Sequence, residues 1–180
     1  MGTRALLRHV DALAARLRDA TLPPDDPSAV GAGVDLRPWH LRYEREAALT
    51  LATVLEGAWL VARVDGSVDR AERRLLAEAV HALTRGGFRA DDVDDVLDAA
   101  AAALAREGIE ARCRAVGMTL ARVGAADEGV RLMLAVAAAS DGVSVAERVA
   151  VRAIAAAAGL GDGALEAFRR ETLAELAAPE

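Results

Sequence analysis

The chain predicts an all-α protein, an internally duplicated helical bundle of about seven core helices plus an N-terminal helix. Three observations lead there. Alanine, leucine and arginine dominate while aromatic residues are only 3%, a composition whose local propensities favour helix and disfavour strand. Apolar residues recur at intervals of three and four along most of the chain, the period of a helix with one buried face. One apolar-helix, Asp-Gly, polar-turn, capped-helix pattern occurs twice, as LVARVDGSVDRAERRLLAEAV and AVAAASDGVSVAERVAVRAIA.

The composition also bounds the function. With 180 residues, 53% hydrophobic and 28% charged, the chain suits one globular domain with a core of its own. It contains no lysine and its arginines are scattered, and the net charge is -6 at a pI near 5.2. A nucleic-acid surface needs a clustered basic stripe to displace counterions, so that class is excluded. The start MGTRALLRHVDALAARL lacks the long uncharged core of a signal peptide, and no apolar run approaches a membrane span, which predicts a cytoplasmic chain with no direct membrane insertion. The single Cys113 falls at helical spacing from Val116 and Leu120, the position of a small buried hydrophobe.

In chain order, Leu6, Val10, Leu13 and Leu17 mark an amphipathic helix over 4–20, so residues 1–20 form an N-terminal helical arm. Residues 21–38 hold four of the five prolines among glycines and aspartates and read as a linker. Residues 39–180 then form the helical domain. Its first helix runs from Trp39 to Arg63 with an apolar stripe at Ala48, Leu51, Leu55, Ala58 and Ala62, and with Val54 and Val61 on another side, so it should be central. Glu56 interrupts this apolar run; a carboxylate buried without a partner is costly, and an exposed helix edge is expected for it. A second helix starts near Asp69 and ends at Gly86 and Gly87, and a third begins in ADDVDDVLD, whose aspartates suit the positive end of a helix dipole. Four more are expected at 109–123, 127–140, 144–158 and 164–176, separated by glycine-containing turns.

The repeated corner carries the chemistry. Asp69 with Glu72, and Ser144 with Glu147, have the spacing of a capping box, which starts a helix by reciprocal side-chain and backbone hydrogen bonds. The glycine after Asp65 and after Asp141 permits a tight reversal that returns the aspartate toward the next helix. Carboxylates gathered this way repel unless a cation lies among them, and such hard oxygen ligands select calcium or magnesium. The pattern is not an EF-hand, because the glycine directly follows the first aspartate and the twelfth position is Leu76.

VARVDGSVDRAER and AVAAASDGVSVAERVAVRAIAAAAGL resemble the paired signatures of TerB-like tellurite-resistance proteins, over roughly residues 41–160. The resemblance implies a duplicated helical bundle, acidic loops that bind a divalent cation, and a role in tellurite or stress response or a related defence system. Carried onto this chain, the implied metal ligands are Asp65, Asp69 and Glu72 in the first loop and Asp141 and Glu147 in the second. The second loop holds fewer carboxylates and is one residue shorter between aspartate and glutamate. No organic cofactor is implied.

Catalysis would require a nucleophile with its base, an open metal site or a phosphate cradle, and no such pattern is legible. His9, His40 and His81 lack any paired spacing. The expectation is therefore a non-enzymatic module that takes a divalent cation, Ca2+ or Mg2+, and engages a protein partner. The alternative is a metal-free helical adaptor offering an exposed apolar face to another protein.

Overall fold

The computed structural model describes residues 45–64, 66, 76, 90–139 and 143–177. Six helices lie there, and among the described residues there is no strand: α1 Arg45–Arg63, α2 Ala90–Glu107, α3 Ile109–Arg122, α4 Ala126–Ala139, α5 Val145–Ala157 and α6 Asp162–Ala177. The expected helix of the N-terminal arm and residues 39–44 lie outside the described residues. So does the helix expected from Asp69, apart from Leu76, which is helical and buried.

The central position of α1 follows from its residues. Every side chain from Thr50 to Ala62 is buried, including Leu51, Leu55 and Trp59 on one side and Val54 and Val61 on another. A helix apolar on all sides needs neighbours on all sides, and α1 packs against α2, α3, α4 and α5. Its polar interruptions are satisfied internally: Thr53 donates its hydroxyl to the Leu49 carbonyl at 2.7 Å. Arg63 in the last turn lies 5.5 Å from the Trp59 ring centroid, where its charge also suits the negative end of the helix dipole.

In α2, Val93, Val96, Leu97, Ala100 and Ala103 are buried while Asp94 and Asp95 are exposed near its start. Those two carboxylates thus face water near the positive end of the helix. Gly108, at φ +80, breaks the path between α2 and α3, and its N–H closes α2 by donating to the Leu104 carbonyl at 2.9 Å. The next helix α4 resembles α1 in being nearly enclosed, with Val130, Met133, Leu134 and Val136 buried.

Gly117 explains how closely α3 meets α5. A Cβ there would sit 2.3 Å from the Ile154 carbonyl oxygen and 2.6 Å from the Ala157 Cβ. Those are backbone and stem atoms that cannot rotate away, so the two helices approach at a distance only glycine allows. The helix α6 closes the described bundle against α4 and α5, with Phe168 buried beneath the Arg131 guanidinium, 3.8 Å from the ring centroid.

Candidate functional site

The two Asp-Gly corners are reached from α1 and from α4. At the first, Gly66 has φ +134, a conformation that favours glycine, and its N–H donates to the Arg63 carbonyl at 3.0 Å. That hydrogen bond closes a turn over 63–66 at the end of α1. Asp65, Asp69 and Glu72 lie outside the described residues, as does Asp141 at the second corner.

Glu147 is described, and so is its cap. Ser144 Oγ accepts from the Glu147 N–H at 3.1 Å, and Glu147 Oε2 accepts from the Ser144 N–H at 2.6 Å. This reciprocal pair satisfies two backbone donors that a helix start leaves open, and it sets the first residue of α5. Glu147 is 2% exposed, so one of its carboxylate oxygens is engaged by its own helix start in a buried position. Among the described residues, no three His, Cys, Asp or Glu side chains form a group able to hold a metal ion.

Among the described residues, a buried ion pair joins α1 to α3 at a glutamate that sequence reasoning placed wrongly. Glu56 is not on an exposed helix edge: it is 0% exposed. Its Oε1 accepts from Arg112 Nε at 2.9 Å and from Arg112 Nη2 at 2.7 Å. Arg112, itself 4% exposed, also donates from Nη1 to Glu107 Oε2 at 2.8 Å. One guanidinium from α3 thus joins the middle of α1 to the end of α2. Burial alone would make the Glu56 charge costly, and the charge-assisted hydrogen bonds from Arg112 offset that cost. The signal was present in the sequence, since Arg112, Val116 and Thr119 share one helical face and Arg112 therefore points where the apolar side chains of α3 point. The sequence thus marks a charge in the apolar stripe of α1 and an opposite charge in that of α3, but not that the two helices meet.

This cluster shapes its neighbours. The hydrogen bond from Arg112 holds the Glu107 carboxyl below the usual carboxylate range. Burial first, and the Glu56 carboxylate second, push the Cys113 thiol up to about 11. Cys113 is 1% exposed, and a thiol in that condition is a packing group with little thiolate.

A second feature lies along α5 and α6. A cleft of about 650 Å³ runs between α5 and α6, floored by Leu134, Val151 and Leu165. On its rim Val145 is 68% exposed and Val149 64% exposed. Two ion pairs border it, Arg152 to Asp162 at 2.6 Å and Arg169 to Glu166 at 2.5 Å. Arg148 donates to the Val143 carbonyl at 2.7 Å. No family model, curated protein or solved structure matches the chain.

Proposed function

We propose that this chain is a non-enzymatic, TerB-like helical module that binds a divalent cation at its first Asp-Gly corner, through Asp65, Asp69 and Glu72. The observation that carries the reading is the turn at Gly66, with φ +134 immediately after Asp65 in the sequence. A tight turn at that point is what the repeat requires if the aspartate is to return toward the next helix. The capping box at the related corner supports it as well, since Ser144 and Glu147 start α5 in the manner the repeat implies. Asp141 and Glu147 are the corresponding ligands of the second corner. The engagement and burial of Glu147 weight the proposal toward the first. The resemblance places such a module in tellurite or stress response or a related defence system.

Titration calorimetry with CaCl2 and with MgCl2 tests this reading. Saturable binding near one ion per chain is expected, abolished by the double substitution Asp65→Ala and Glu72→Ala and weakened little by Glu147→Gln. No heat from either ion would overturn it.

A metal-free helical adaptor is the second reading, favoured by the exposed valines on the outer face of α5. An apolar face outside the acidic loops is what an adaptor needs. Under this reading a chelator leaves partner binding unchanged.

A further inference from the structure

The cleft between α5 and α6 joins an apolar floor to a basic rim. Leu134, Val151 and Leu165 form the floor, and Val145 and Val149 stand at its edge, both exposed. Valines held in water cost free energy that an apolar ligand recovers by covering them. The rim carries three arginines against two carboxylates, in a chain whose net charge is -6. The excess positive charge belongs to Arg148. Arg152 is paired with Asp162 and Arg169 with Glu166, whereas Arg148 meets no carboxylate among the described residues and donates Nη1 to the Val143 carbonyl. That bond steadies the guanidinium and leaves its other N–H groups for an acceptor. Arg148 also stands in the first turn of α5, where the helix dipole favours an anion. The Arg152 to Asp162 pair reaches from α5 to α6 and ties the two walls together near their connection over 158–161. Arg148 lies about one turn farther from that connection than Arg152 does.

We propose that this cleft binds an aliphatic monocarboxylate, with the carboxylate on Arg148 and the hydrocarbon chain along the apolar floor. Its volume of about 650 Å³ falls among small-molecule pockets of roughly 300–1,000 Å³, which are mostly apolar with a few fixed polar groups. A carboxylate can accept two parallel N–H groups from one guanidinium, and the chain behind it covers Val145 and Val149. A neutral or cationic head group forfeits that pairing. The ion pair that ties the walls together favours a slender chain over a partner helix about 10–12 Å across.

Titration of the full chain with sodium octanoate in EDTA tests this, the chelator keeping the outcome independent of the acidic corners. Saturable binding near one molecule per chain is expected, with 1-octanol and octylammonium each about tenfold weaker or more. In methyl NMR spectra the resonances that shift should be those of Leu134, Val145, Val149, Val151 and Leu165. Arg148→Gln should weaken octanoate about tenfold, the worth of one charge-assisted hydrogen bond, and Val149→Asp should abolish binding. Both positions are exposed, so neither change disturbs the core. No saturable binding, equal affinity for 1-octanol, or unchanged affinity in Arg148→Gln would overturn the proposal. So would shifts of the same methyls with protein concentration alone, which assigns the cleft to a second copy. Shifts caused by a synthetic amphipathic helix of leucines and glutamates but not by octanoate would overturn it too, and assign the cleft to a protein partner.

Discussion

Glu56 and Arg112 show how one side chain decides the cost of another. The Glu56 carboxylate sits in the middle of the most enclosed helix, and its Oε1 receives both Nε and Nη2 of Arg112. Removing one partner of a buried pair leaves the other charge in a low-dielectric interior, which typically costs about 3–5 kcal/mol. Urea unfolding of Arg112→Leu should show a loss of that order. The double substitution Glu56→Leu and Arg112→Leu should recover much of it, since hydrophobic replacement of both partners removes the desolvation cost. Glu107 responds to pH through the same guanidinium. Its folded-state pKa is lowered by the Arg112 hydrogen bond, so its contribution to stability is present above its unfolded pKa, about 4.3. It is lost as pH falls through the lower folded value. Acid titration of stability should therefore be shallower just below pH ~4.3 in Glu107→Gln than in the parent chain. The effect is modest because Glu107 is a third exposed.

At the scale of elements, the close packing of α3 on α5 rests on Gly117. Adding a methyl group there drives a Cβ into the Ile154 carbonyl, and overpacking of this kind costs about 1–3 kcal/mol or more. Gly57 on α1 is a useful contrast. Its added Cβ would meet the Met133 Cε at 2.0 Å and Sδ at 3.0 Å, the far end of a flexible side chain that can swing aside. Alanine also favours a helix interior over glycine by about 1 kcal/mol. Chemical denaturation should therefore find Gly117→Ala clearly more destabilising than Gly57→Ala; equal losses would mean that α3 and α5 separate freely. Helix limits were largely legible in the sequence for physical reasons local to each end. Ser144 and Glu147 announce the start of α5, and the glycines at 108 and 159 adopt positive φ where helices stop. The burial of Glu56 was not legible from α1 alone, because its partner is 56 residues away and local periodicity carries no information about which helices meet.

For the whole molecule, the all-α class and the central place of α1 were readable because an apolar sequence on several helix faces admits few other arrangements. The duplicated seven-helix plan reaches into residues 67–75 and 77–89 and beyond the described residues, so the six helices observed bear on the class and not on that count. The acidic corner is less readable for a different reason. A capping box and a metal ligand use the same residue types at the same spacing, and Glu147 illustrates the first use by accepting from its own N-cap backbone. Whether Asp65, Asp69 and Glu72 act together depends on what neutralises their mutual repulsion, and an ion that binds the folded state alone stabilises it by mass action.

Thermal melting of the purified chain in calcium and in EDTA tests that claim most directly. At a calcium concentration near 100 times the dissociation constant the folded state should gain about 2.7 kcal/mol, raising the melting temperature by roughly 5–10 °C. The gain should vanish in the Asp65→Ala, Glu72→Ala chain. Identical melting in calcium, magnesium and EDTA would contradict the account.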